Sequence, residues 1–286
     1  MLPAKSSLSL AYPPPVPEPA TAGTAAAPVV EVLSAEKTYD KGTRALLPVD
    51  LRIRQGEFVT LLGPSGCGKS TLLKMVAGLL EPTDGRILLW RQPVQQATAT
   101  AGKMAFVFQS PTLMPWASVQ TNVRLPLDLA GVPRAEADAR VADALALVGL
   151  TRFHEALPRA LSGGMQMRVS IARALATDPD LLLMDEPFGA LDEITRHKLD
   201  ADLLELQRRK NLTVVFVTHS IHEAVFLSNR VVVMAARPGR VVETVPIAEP
   251  YPRSLDFTTS TEFAQYARHL QHSLLRASVD TEEALS

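Results

Sequence analysis

Only one cysteine, Cys67, occurs among the 286 residues. An intrachain disulfide is therefore excluded, a disulfide-stapled secreted scaffold with it, and a reducing compartment suits the chain. Long apolar runs are missing as well, and none approaches the roughly 20 residues that a membrane-crossing helix needs. Neither sign of charge is in excess: 29 Lys and Arg stand against 30 Asp and Glu, with a pI near 6.6. That balance gives no bulk attraction to nucleic acid or to an anionic lipid surface, so nucleic acid is not an expected partner. No internal repeat is visible. The opening MLPAKSSLSLAYPPP has one lysine and a proline-interrupted apolar stretch, unlike a secretory signal, and the chain is expected in the cytoplasm.

With 47% hydrophobic and 21% charged residues, the chain can bury the core of one domain with small appendages. Residues 1–28 are mostly Pro, Ala, Ser and Thr without apolar periodicity, a composition expected to stay disordered. The body, 29–245, begins with VVEVLSAEKTY, VDLRI and EFVTLLG, runs of branched residues that predict strands, and turns helical from Lys69 to Leu79. GRILLW and MAFVFQ predict further strands. A helical insertion is expected over about 112–176, with Pro133 near one helix start and Gly149 past its end. LLLMD, TVVFV and RVVVM are continuous apolar runs separated by helical segments, the pattern of a parallel sheet covered on both faces, so the core is α/β. After the strand-like RVVETVPI, an extension over 246–286 predicts one helix opening at Thr259, with Glu262 completing a capping box. Phe263, Tyr266, Ala267, Leu270 and Leu274 share one face of that helix and are expected to dock on the core.

The strand EFVTLLG runs into Gly63, Pro64, Ser65, Gly66, Cys67, Gly68, Lys69, Ser70 and Thr71 and then a helix. This is the strand–loop–helix context of a phosphate-binding loop: glycines let backbone N–H groups turn inward, and the helix N-terminus adds partial positive charge. Lys69 is placed to bridge the β and γ phosphates of a nucleotide, and Ser70 to offer its hydroxyl to Mg²⁺. Chance would produce the pattern in about 1% of chains of this length at ordinary residue frequencies. Cys67 within it reads as a small side chain that fits. In LLLMDEP, a buried strand delivers Asp185 and Glu186 to its C-terminal edge, where open α/β sheets hold ligands. Asp185 is expected on the metal, and Glu186 is expected to orient and polarise a water.

Leu161, Ser162, Gly163, Gly164, Met165 and Gln166 precede the helical run MRVSIARALA. Here the chain resembles the ATP-binding cassette family over about Val29 to Val245. The resemblance implies a phosphate-loop NTPase core with a mostly parallel sheet, an antiparallel β subdomain and an α-helical insertion. It also implies ATP hydrolysis within a dimer, where Ser162, Gly163 and Gly164 of one copy close over ATP held by the other. That arrangement makes physical sense, since a hydroxyl and amides at a helix N-terminus form a second anion site. Tyr39 resembles the family's adenine-stacking aromatic. Gln109 resembles the glutamine that senses Mg²⁺ and water, Asp192 the residue that communicates across the dimer, and His219 the γ-phosphate histidine. The usual Gln at the fifth signature position is here Met165, followed by Gln166.

PTLMPW after Gln109 and DEPFGALDEITR around the acidic pair look like the ATPases of nitrate, sulfonate, taurine and related small-solute importers. Such a subunit would work on the cytoplasmic side of the membrane, bound to permease subunits and indirectly served by an extracytoplasmic solute-binding protein. Part of Pro111 to Trp116 is expected beside the groove that receives a cytoplasmic helix of the permease. A GTPase or small-molecule kinase would leave the LSGG motif unexplained and lacks its Asn-Lys-x-Asp counterpart here. A DNA-repair or translation cassette would bring two cassettes or a long coiled coil, and no sustained heptads occur. An exporter with separate membrane subunits stays open as an alternative.

Overall fold

A computed structural model describes residues 28–40, 42–97, 104–189 and 191–283. The tail expected up to residue 28 therefore lies outside the described residues, except for Pro28. Strands β1 (Pro28–Tyr39), β2 (Thr43–Arg54), β4 (Asp84–Leu89) and β5 (Gln92–Pro93) form an antiparallel sheet in the order β2-β1-β4-β5. A second sheet contains β3 (Phe58–Leu62), β6 (Met104–Val107), β7 (Leu181–Asp185), β8 (Thr213–Thr218), β9 (Arg230–Ala235) and β10 (Arg240–Pro246), ordered β10-β9-β3-β8-β7-β6. Within it only β10 runs antiparallel to its neighbour. The expected architecture is present: a mostly parallel α/β core, an antiparallel sheet and a set of inserted helices.

The continuous apolar runs of β3, β7 and β8 follow from burial on both faces, and alternate residues serve different cores. Phe58, Leu62, Leu182, Met184, Val214 and Phe216 point into one cluster, shared with α3 (Val119–Leu129), α4 (Arg134–Leu147), α5 (Gly163–Ala176), α6 (Glu193–Lys210), α7 (Ile221–Leu227) and α8 (Thr261–Glu283). Val59, Leu61, Leu181, Leu183, Val215 and Val217 point into another, shared with α1 (Lys69–Val76), the short α2 (Val94–Ala97) and the antiparallel sheet.

Three boundaries differ from expectation. α1 stops at Val76 rather than running to Leu79, because Gly78 takes φ +72° and the amide of Leu79 turns back to the carbonyl of Lys74 at 2.9 Å. β6 ends at Val107, so Gln109 lies in the loop beyond the strand rather than closing it. α8 opens at Thr261, and its cap is Ser260, whose hydroxyl oxygen accepts from the Phe263 amide at 3.1 Å. Thr259 instead ends a short 3₁₀ turn, Leu255–Thr259, and bonds the Asp256 carbonyl.

The C-terminal segment is held by polar groups as well as by Phe263 and Leu270, which are buried in the helix-side core. Buried Arg253 donates to the carbonyls of Val225 and Phe226, both at 2.9 Å, and to that of Glu249 at 2.8 Å. Its guanidinium carbon lies 4.5 Å from the Tyr251 ring centroid. Arg253 thus caps the end of α7 with a side chain from outside it. On β10, Glu243 receives Ser273 of α8 at 2.6 Å and lies 2.8 Å from His269. No helix among the described residues is long and apolar enough to cross a membrane. Replacing Arg253 by Leu leaves the α7 carbonyls unpaired in a buried place. The expected loss is about 2–4 kcal/mol, seen as a lowered denaturant midpoint at unchanged slope.

Candidate functional site

Parallel pairing brings three strand ends to one level: Leu62 of β3 is opposite Thr218 of β8, and Val217 of β8 is opposite Asp185 of β7. The residues that follow each strand therefore share one edge of the sheet. After β3 comes the glycine loop. Gly66 and Gly68 have φ +79° and +90°, a region where a side chain would be strained, and Gly68 starts α1. A Cβ on Gly66 would meet nothing within 4 Å, whereas one on Gly63 would come within 2.5 Å of the Met234 carbonyl oxygen. The loop is thus open on one side and packed against β9 on the other.

The Lys69 ammonium is buried and donates to the carbonyls of Gly63 at 2.7 Å and Pro64 at 2.9 Å. It also lies 3.9 Å from Glu186 Oε1. The Ser70 hydroxyl donates to Asp185 Oδ1 at 2.7 Å. Burial pushes the Asp185 carboxyl above its ordinary range, opposed chiefly by this bond. Cys67 is buried, and burial raises its thiol pKa despite the nearby Lys69, which agrees with a packing role rather than a reactive one. Glu186 has φ +46°, uncommon for a residue with a side chain, and its amide donates to the Val217 carbonyl at 3.0 Å. Gln109 Nε2 donates to Glu186 Oε2 at 3.4 Å, and His219 Nδ1 lies 3.3 Å from the same oxygen. Lys69, Gln109 and His219, which follow three different strands, therefore converge on one carboxylate.

The other expected residues stand apart from this cluster. Ser162 caps α5, its hydroxyl accepting from the Met165 amide at 3.3 Å, and both Ser162 and Gly163 are exposed. A Cβ on Gly164 would come within 2.8 Å of Leu191 Cδ2. Gln166 donates to the carbonyls of Pro158 and Leu161 and so fixes the turn leading into Ser162. Asp192 caps α6 through the Thr195 amide at 2.9 Å, and this bond lowers its pKa. Tyr39 ends β1 with an exposed ring, 5.7 Å from the Lys37 ammonium. Thr71 sits in the first turn of α1. Trp116 is 77% exposed on a loop that is nevertheless braced: Asn122 donates to the Met114 and Ala117 carbonyls, and Arg173 to those of Pro111 and Thr112.

Sequence reasoning passed over a polar group buried beside His219. Thr218 donates its hydroxyl to Glu223, Glu223 Oε1 lies 3.6 Å from Arg196 Nε, and Asp200 is fully buried among them. Among the described residues neither Asp200 carboxyl oxygen has a hydrogen-bond partner. Burial, followed by the neighbouring Glu223, pushes the Asp200 pKa up to about 8, and Arg196 only partly opposes this. A legible signal existed: Asp200 occupies the same helical stripe as Leu203, Leu204 and Gln207, where an acid is out of place.

The family model described as ABC transporter matches residues 46–189 of this chain. A putative ATP-binding protein of Brucella abortus (strain 2308) is 46% identical over 245 residues, covering 86% of this chain and 93% of that protein. A taurine import ATP-binding protein of Rhizobium johnstonii is 52% identical over 204 residues, covering 71% of this chain and 77% of that protein. Among solved structures, an ATP-binding cassette determined as a dimer in a post-hydrolysis state with ADP and Pi aligns with a TM-score of 0.71 and 34% identity. That alignment covers 77% of this chain and 100% of the other.

Asp200 also sets a pH dependence. Its folded pKa of about 8 lies above the ordinary 3.8, so the folded chain binds the proton more tightly than the unfolded chain does. The associated stability is complete below about pH 4 and is lost as pH rises toward about 8. Asp200→Asn keeps the shape and removes the titration. Its melting temperature relative to the parent is expected to rise between pH 5 and pH 8, as measured by paired thermal melts across that range.

Proposed function

The chain belongs to the ABC transporter family, and from that premise we propose that this ATP-hydrolysing subunit drives import of a small solute through separate permease subunits. The observation that carries the mechanism is the convergence of Lys69, Gln109 and His219 on Glu186 at the common edge of four parallel strands. Two copies face each other, and each active centre takes the glycine loop of one and the Ser162 turn of the other. The exposed Ser162 and Gly163 at the start of α5 suit such an anion site, and the dimeric cassette similar to this chain supports the pairing.

Each residue then has a task. Backbone N–H groups of residues 65–71 cradle the phosphates, and Lys69 exchanges its two loop carbonyls for phosphate oxygens. Tyr39 offers its exposed ring to adenine. Ser70 and Asp185, already 2.7 Å apart, together with Gln109 form a hard oxygen donor set that fits Mg²⁺. Bound there, Mg²⁺ neutralises phosphate charge. Glu186 orients the attacking water and accepts its proton, and His219 contacts the γ-phosphate. Asp192 responds to the partner copy. ATP thereby acts as a ligand that shifts a dimerisation equilibrium, and the inserted helices transmit the closure.

The braced Pro111–Trp116 loop, with its exposed indole, is the point where we place the permease helix. Similarity to the taurine import protein supports a taurine-like solute, delivered by an extracytoplasmic binding protein, and a position on the cytoplasmic side of the cell membrane. Glu186→Gln is expected to keep nucleotide binding, to lower turnover by about 10²–10⁴-fold and to hold the ATP-bound dimer closed. Phosphate release and size-exclusion chromatography with ATP measure both, and near-normal turnover would remove Glu186 from the mechanism. Trp116→Glu in the reconstituted transporter is expected to abolish solute uptake while ATP affinity stays as in the parent. Unchanged uptake would count against the docking site.

A further inference from the structure

The buried polar group behind His219 has a direction. In α6, Arg196 Nη2 donates to the carbonyl of Leu191, the residue immediately before Asp192, at 2.9 Å. Its Nε lies 3.6 Å from Glu223 Oε1. The other carboxyl oxygen of Glu223 receives the Thr218 hydroxyl, and the Thr218 oxygen in turn accepts the Ser220 amide at 2.9 Å. His219 stands between Thr218 and Ser220, with its ring 3.3 Å from Glu186. Side chains from three elements thus form a path from the Asp192 loop to the ring that faces Glu186. It is separate from the backbone joining Glu186 to Asp192.

This path is costly as a purely structural device. Glu223 and Asp200 are both buried and both feel the Arg196 guanidinium, and Arg196 Nε makes no hydrogen bond among the described residues. Well-packed apolar residues of similar size would serve stability at least as well as such an ionic group. Arg196 faces Glu223, whereas neither oxygen of Asp200 finds a partner among the described residues, and burial pushes both carboxyls upward. Loss of the Thr218 hydroxyl or of the Arg196 fork would free the His219 turn without touching the nucleotide.

We propose that Arg196, Glu223 and Thr218 are positioning residues for hydrolysis, a relay that sets the His219 ring against Glu186 according to the position of the Asp192 loop. The inference rests on the reading that Glu186 and His219 act on the γ-phosphate and that Asp192 faces the second copy. Arrival of that copy then has a side-chain route into the reacting centre, beyond the nucleotide both copies share.

Steady-state and single-turnover ATP hydrolysis by the full chain tests the relay. Thr218→Val, which removes only the hydroxyl, is expected to lower kcat about 10- to 100-fold with KM for ATP changed less than about 2-fold, and Thr218→Ser restores it. Arg196→Lys keeps the charge but cannot span Leu191 and Glu223, and about a 10-fold fall in kcat is expected. In a His219→Ala background, Thr218→Val is expected to add no further loss, because residues acting through one group are not additive. A Thr218→Val or Arg196→Lys kcat within about 2-fold of the parent overturns the relay, as does a full further loss in the His219→Ala background. If Thr218→Val does not fold, Arg196→Lys decides alone. If Glu186→Gln and His219→Ala themselves turn over normally, the site reading fails and the relay falls with it. If they are inactive while the relay variants are normal, only the relay fails.

Discussion

Everything at the site depends on parallel pairing of β3, β8 and β7 with their ends in step. Leu62, Thr218 and Asp185 finish at one level, so residues far apart in the chain meet without any loop having to fold back. Antiparallel neighbours would have sent alternate loops to opposite edges. Pairing of this kind needs helices on both faces, and the two clusters of buried residues supply that cover. The edge that carries the candidate site is therefore a by-product of the same hydrophobic burial that stabilises the sheet.

On that edge, charge is kept in small compensated sets. Lys69 meets its own loop carbonyls and Glu186, and Asp185 meets Ser70. Glu186 sits in a left-handed backbone conformation that disfavours side chains, at a cost of order 1 kcal/mol or more. The hydrogen bond from its amide to the Val217 carbonyl and three side-chain neighbours hold it there.

Much of this was legible in the sequence because local patterns encode it. Glycine spacing announces the loop after β3, continuous apolar runs announce a covered parallel sheet, and the acidic pair after β7 is a strand-end signal. Lys69, Ser70, Asp185 and Glu186 could be named from motifs, Gln109 and His219 from the family resemblance, and the six lie together. What escaped was non-local or decided by a turn's geometry. The stop of α1 depends on Gly78 adopting a left-handed turn, and the α8 cap falls to Ser260 because Thr259 is already used in a 3₁₀ turn. Strand β6 ends early because its pairing with β7 runs only from Met104 to Val107. The Arg196–Glu223–Thr218 contacts join two helices and a strand, and no sequence spacing specifies that meeting.

The alternation of β3, β7 and β8 residues between two separate cores has an evolutionary consequence. Helices α3, α4 and α5 rest on one set of positions, α1 and the antiparallel sheet on the other, and the sheet divides them. A lineage can therefore repack the helical half, accumulating compensating changes at positions such as Val214 or Met184, while Val215 and Leu183 in the other core stay untouched. In this architecture, changes that repack the helical half and changes that reshape the half around α1 fall on even and odd positions of the same strands.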